Sequence, residues 1–335
     1  MTGPFPRVSG TVMPMKRRFL AAAVLLLAAC SAEDRSGWDP VMVAYDDAVV
    51  ETVRLVERKD AKAALGRLRD ILRDEPALES LCHGLVHEIG HAAYEKEGFE
   101  GALEYEDDLC GSGYIHGIVE THLDRVRDIE AVLPTICDEN AANCFHGIGH
   151  GLMYKLDNDL PRSVELCGTY GENFQRIQCA EGVFMETYDS ETRFHASEYL
   201  KEDDPFFACR GLDPVNEGVC AFYAVRYYLR LHPRDYESAL AWCATDVPEG
   251  PRDACIKGVG DTAMKQNIGD PLGVEILCTK APAGKRHYCI EGMVSYAIVH
   301  EAKSSAGEAI CSRLQEGNRA ACERAVAQAR PFYPE

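Results

Sequence analysis

The stretch "CFHGIGHGLMYKLDNDLPRSVELC", Cys144 to Cys167, recurs along the chain. Its copies are "CAFYAVRYYLRLHPRDYESALAWC" from Cys220, "CIKGVGDTAMKQNIGDPLGVEILC" from Cys255 and "CIEGMVSYAIVHEAKSSAGEAIC" from Cys289, with 22, 22, 22 and 21 residues between the bounding cysteines. A looser copy runs from Cys179 to Cys209. Each opens with Cys-x-x-Gly or a variant and continues with apolar residues at helical spacing. Each then breaks at Asp, Pro, Gly or Asn and closes in a short second run such as "ESALAWC". One unit is a helical hairpin, and self-similarity at a fixed period is the signature of a stacked array. No run after the N-terminal segment alternates like a strand bounded by turns. The fold class is therefore all-α, a solenoid of helical hairpins. Such hairpins bury one another's apolar faces and line a concave surface with equivalent positions.

At 335 residues and 46% apolar content the chain is globular and long enough for a large core. Its N-terminal "MKRRFLAAAVLLLAAC" has a positive region, a short apolar region and a small-residue processing site, which together read as an export signal. The apolar run from Phe19 to Ala29 is 11 residues, short of the roughly 20 that cross a bilayer. Leu27-Ala28-Ala29-Cys30 resembles the lipobox of bacterial lipoproteins, cut before the cysteine by signal peptidase II. That resemblance implies that Cys30 carries fatty acyl chains, palmitate among them, and anchors the protein in a lipid bilayer. Ser31, where an Asp retains some lipoproteins in the inner membrane, fits sorting to the outer membrane, facing the periplasm. The organisation expected is a signal peptide over 1–29, a lipidated tether over 30–40 and one α-helical repeat domain over 41–335. Translation starting at Met13 or Met15 fits the same reading. Loss of Arg7, Lys16, Arg17 and Arg18 with the signal moves the net charge from −19 to about −23. Nucleic acid and anionic lipid surfaces are poor partners for such a chain.

Of 15 cysteines, 14 remain beside Cys30, an even number in an exported chain. They fall in close pairs between hairpins: Cys137/Cys144, Cys167/Cys179, Cys209/Cys220, Cys243/Cys255, Cys278/Cys289 and Cys311/Cys322. Each pair brackets the loop from one second helix to the next first helix, so a disulfide there staples the loop. Cys82 and Cys110, at the two ends of one antiparallel hairpin, are the remaining pair. The arrangement resembles the disulfide-bridged Sel1-like repeats of secreted cysteine-rich bacterial proteins. The Leu-Gly-x-x-Tyr start of that family is mostly missing. The resemblance implies a scaffold whose concave face takes a protein or peptide partner.

Upstream, "HGLVH" (His83 to His87) aligns with "HGIVE" (His116 to Glu120), "HGIGH" (His146 to His150) and "EGVFM" (Glu181 to Met185). Gly84, Gly117, Gly147 and Gly182 coincide; the glycine is there either for close helix packing or for room beside a ligand. Residues four apart share a helix face. Imidazoles at equivalent positions of stacked helices about 8–10 Å apart can converge. His83, His87, His116, Glu120, His146 and His150 are thus candidate metal ligands in the His-rich repeats, 82–178. The repeats over 179–335 are His-poor. Imidazoles with one carboxylate suit zinc, iron, copper or nickel rather than calcium or magnesium. Six candidates exceed one tetrahedral site, leaving open two metals or one metal with outer histidines. His91 and His122 lie off the register as possible outer ligands, and His195, His232, His287 and His300 read as surface or structural.

The first copy also contains "HEIGH", and "HEIGHAAY" resembles the H-E-x-x-H helix of zinc peptidases. That resemblance implies His87 and His91 as ligands and Glu88 as the catalytic base. "ETHLD" (Glu120 to Asp124) resembles the downstream E-x-x-x-D of thermolysin-like families, with Glu120 the third ligand. Against it, Val41 to Ser80 reads as helices where such enzymes carry a sheet, and "HGIGHG" has Gly151 where Glu88 stands. The function expected is a membrane-anchored lipoprotein with a His/Glu-rich transition-metal site, acting as metalloenzyme or metal carrier. The alternatives are a zinc metallopeptidase and a Sel1-like binding scaffold.

Overall fold

The computed structural model describes residues 39–105, 107–139, 141–189 and 197–333, so the signal segment, Cys30, Ser31 and His195 lie outside the described residues. Among the described residues the chain is all-α, with 15 α-helices and no strand. Two leading helices, α1 (Pro40–Arg58) and α2 (Ala61–Asp74), precede the array. Long helices then follow: α3 (Cys82–Leu103), α4 (Leu109–Arg125), α6 (Ala142–Lys155) and α8 (Asn173–Asp189). The series continues with α9 (Pro214–Leu231), α11 (Arg252–Gln266), α13 (Arg286–Glu301) and α15 (Glu316–Ala329). Short helices alternate with most of them: α5 (Ile129–Ile136), α7 (Leu160–Cys167), α10 (Tyr236–Thr245), α12 (Pro271–Cys278) and α14 (Ser304–Cys311).

The break before four of the short helices is an aspartate N-cap. Asp128, Asp159, Asp235 and Asp270 accept from the backbone N–H of Ala131, Arg162, Ser238 and Gly273, which starts α5, α7, α10 and α12. Each such cap is worth about 1 kcal/mol. The short helices have only 8 to 10 residues, below the roughly 12–15 that hold alone in water. They persist because the long helices cover them and disulfides tie their ends. Six disulfides, Cys137–Cys144, Cys167–Cys179, Cys209–Cys220, Cys243–Cys255, Cys278–Cys289 and Cys311–Cys322, close loops of 7 to 12 residues. Cys82–Cys110 spans 28 residues and joins the ends of the α3–α4 hairpin.

Each long helix packs on the next, from α3 through α15, and α13 also reaches back to α4. The stack winds on itself: His300 on α13 lies 3.8 Å from Glu79, and the Ser304 N–H donates to the Tyr333 carbonyl. Two apolar cores flank α4, one taking Tyr114 and Ile118, the other Ile115, Val119 and Leu123. The helix that carries His116 and Glu120 is thus buried on both sides.

The registered glycines serve helix contact. A Cβ at Gly182 would stand 2.0 Å from the His146 carbonyl oxygen and one at Gly117 2.2 Å from that of His87, and off-register Gly149 is as tight, 2.1 Å from that of Cys179. Only hydrogen fits, and the close approach is what brings histidines on neighbouring helices within reach. Gly149→Ala is expected to force α6 from α8 and destabilise the protein by about 1–3 kcal/mol or more, read as a lowered urea midpoint.

Candidate metal centre

Three helices bring the histidines together: α3 supplies His83, His87 and His91, α4 supplies His116 and Glu120, and α6 supplies His146 and His150. One donor atom from each of His83, His87, His116 and His150 lies within 4.8 Å of all the others. His83 Nε2 stands 3.1 Å from His87 Nε2 and 3.3 Å from His116 Nδ1. Two nitrogens on one tetrahedral zinc, at Zn–N of about 2.0–2.1 Å, stand about 3.3–3.4 Å apart.

The outer nitrogens of three of these rings are anchored. His83 Nδ1 donates to the Cys110 carbonyl at 2.8 Å. His87 Nδ1 faces Glu120 Oε1 at 3.1 Å, and His150 Nδ1 faces Glu186 Oε2 at 2.9 Å. A ligating histidine holds its other ring N–H on a carbonyl or carboxylate in this way, which fixes the tautomer and raises the basicity of the inner nitrogen. With Nδ1 committed, His83 Nε2 carries a bare lone pair that two further imidazoles crowd. Nε2 of His150, whose Nδ1 is held by Glu186, is buried with no hydrogen-bond partner. An orphaned buried nitrogen is costly, and a cation held with His83 and His87 satisfies it.

The His83 anchor is a backbone device. Cys110, Gly111 and Ser112 all adopt left-handed conformations, with φ of 57°, 71° and 60°. This turn aims the Cys110 carbonyl at the ring. It is held by the Cys82–Cys110 disulfide, by Ser112 Oγ donating to Asp108 at 2.9 Å and by Asn143 Nδ2 donating to Ser112 Oγ at 2.8 Å.

Electrostatics divide the cluster. Burial, reinforced by the neighbouring rings, pushes His83, His116 and His146 well below the ordinary imidazole range, so they are neutral. Burial opposes charge on His91 as well, but the hydrogen bond to Glu120 and the nearby Glu88 carboxylate outweigh it and lift His91 to about 10. Burial would raise Glu120, yet His87 and His91 hold it well below the carboxylate range. One end therefore offers neutral imidazoles suited to a soft or borderline cation, and the other an ionised carboxylate with a charged imidazole.

Compared with known proteins, the chain matches no family model, no curated protein and no solved structure. What the site can do follows from its own side chains.

His146 lies beside the four-imidazole group. Its ring stacks on His116 at 4.9 Å between centroids, and its Nε2 is buried and unpaired. Glu120 bridges His87 and His91, with Oε2 2.7 Å from His91 Nε2. Off-register His91 thus belongs to the cluster, whereas His122 contacts Tyr94 at 3.3 Å and packs on Phe99. His232 and His287 pack on Tyr228 and Tyr288. Glu88, with its side chain 42% exposed, faces His91 Nδ1 at 3.8 Å.

At the same register, the His-poor repeats bury Arg226, Asp261 and Glu291. Arg226 pairs with Asp189 and Asp261, and Glu291 pairs with Arg324. Two participants escaped sequence reading. Glu186 falls one residue past the registered Met185, and the Cys110 carbonyl is backbone. Glu186→Gln is expected to weaken metal affinity by about 10–100-fold, measured against a competing chelator.

Proposed function

We propose that this chain is a lipid-anchored, periplasm-facing bacterial lipoprotein whose helical repeats hold a transition-metal ion on His83, His87, His116 and His150. The observation that carries the reading is the 3.1 Å separation of His83 Nε2 and His87 Nε2, with both outer nitrogens already committed to the Cys110 carbonyl and Glu120. Four imidazoles suit zinc, copper, iron or nickel. Four protein ligands close the coordination sphere, which favours holding or carrying the ion over catalysis at it. The export signal and the lipobox-like "LLAAC" support the envelope location. Elemental analysis of tag-free protein purified without added metal tests the centre; about one equivalent or more of a transition metal is the expected result. A metal-free, fully folded protein would return the chain to the Sel1-like scaffold reading. Cys30→Ala is expected to release the protein from membranes or leave it unprocessed.

A second reading has an observation of its own. His87, His91 and Glu120 also lie within 4.8 Å of one another, the set a thermolysin-like zinc peptidase would use. Among the described residues no strand stands beside it to hold an extended peptide, and it leaves His83, His116 and His150 without a task.

A further inference from the structure

We infer that the cluster holds two cations, the second on Glu120 and His91 at the rim of the site. This rests on the reading above, in which the four imidazoles hold the first. Seven side chains form three overlapping groups of metal-binding geometry: His83, His87, His116 and His150; His87, His91 and Glu120; and Glu120, His150 and Glu186. One ion has no room for seven. The four-imidazole ion accounts for Glu186, which anchors His150, and for Glu120 Oε1, which anchors His87. It leaves Glu120 Oε2 and His91 facing each other at 2.7 Å, a charged hydrogen bond in the metal-free chain that a cation bridges by displacing the His91 proton.

The leftover pair repeats the design of the first group. His91 Nε2 points at Glu120 while its Nδ1 faces a carboxylate, Glu88, at 3.8 Å. The rings of His83, His87 and His150 are each backed by an acceptor on one nitrogen and turned inward with the other, and His91 has the Glu88 carboxylate on its outer side at longer range. Glu120 joins the two positions, serving His87 with one oxygen and the second cation with the other. Its side chain is only 9% exposed, and a carboxylate so buried needs a compensating cation, a role that the second ion takes over from the His91 proton.

The two positions differ in character. The first is walled by four nitrogens and includes the buried His116 and His150. The second has one nitrogen and one carboxylate from the protein and opens at His91, whose side chain is 35% exposed. Water completes its shell, so it accepts a zinc, iron or manganese ion that exchanges with solvent. It binds more weakly than the four-imidazole position.

Cobalt(II), added to tag-free protein stripped of metal and counted by elemental analysis after gel filtration, tests this. The expected result is two equivalents, the second bound at least tenfold more weakly. The first equivalent gives the intense visible bands of four-coordination and the second the weak bands of a water-rich shell. In His91→Ala one equivalent remains, with the intense bands unchanged. Saturation of the wild-type protein at one equivalent overturns the second position and leaves the first standing, and so does His91→Ala still taking two. No cobalt bound by wild-type protein of unchanged helical circular dichroism overturns both.

Discussion

His116→Ala and His150→Ala are each expected to empty the tight metal position, while His91→Ala leaves it filled. Both residues are buried, and neither is needed by a peptidase built on His87, His91 and Glu120. Removing an outer partner of a ligand costs about 10–100-fold in affinity, and removing a ligand itself exceeds that. The measurement is metal content after dialysis against a chelator of graded strength, with far-ultraviolet circular dichroism to show that the fold is kept. The reverse pattern, in which His91→Ala strips the metal and His116→Ala with His150→Ala retains it, makes the centre a peptidase site. Glu88→Gln separates the readings again. In a peptidase it abolishes hydrolysis with zinc retained, because an amide cannot take the proton of the metal-bound water. In the four-imidazole centre it disturbs only the orientation of His91.

The fold was legible because the cysteines print the hairpin period directly. Cys144 to Cys167 and Cys255 to Cys278 bound equal lengths, and the Asp between them caps a helix in each case. The site was legible for the same reason: equivalent positions of stacked hairpins meet, so aligning "HGLVH" with "HGIGH" places His83 near His150 without any knowledge of the winding. What remained hidden depends on rotation and on backbone. Whether His146 joins the tight group or stacks beside it is a matter of a few ångströms, set by how closely glycines such as Gly147 and Gly117 let the helices approach. Glu186 belongs to the centre through its neighbour His150, not through its place in the repeat. The carbonyl that anchors His83 comes from three consecutive left-handed residues, of which only Gly111 adopts that conformation freely. Within "HEIGH", Glu88 faces the off-register His91 at 3.8 Å.

Full reduction of the protein is expected to unfold it at ambient temperature and to release its metal in the same transition. In the chain-entropy model, the six loop disulfides, of sequence separation 7 to 12, contribute about 2.5–3 kcal/mol each. The 28-residue Cys82–Cys110 closure contributes about 3.6 kcal/mol. A domain's whole net stability is roughly 5–15 kcal/mol, so losing even half of these crosslinks crosses the threshold. The short helices explain why the array does not compensate: at 8 to 10 residues they do not persist without the ties at their ends. Circular dichroism and metal release followed together during titration with a thiol reductant check this. Helicity and metal should fall in step, and a reduced chain that keeps both would show that packing alone holds the solenoid. Within that series the pair Cys82→Ser with Cys110→Ser is the informative case. Six disulfides remain to hold the array, while the left-handed turn loses its tie. Affinity for the metal should then fall by about 10–100-fold, the effect of freeing one anchored imidazole, with most of the helicity retained.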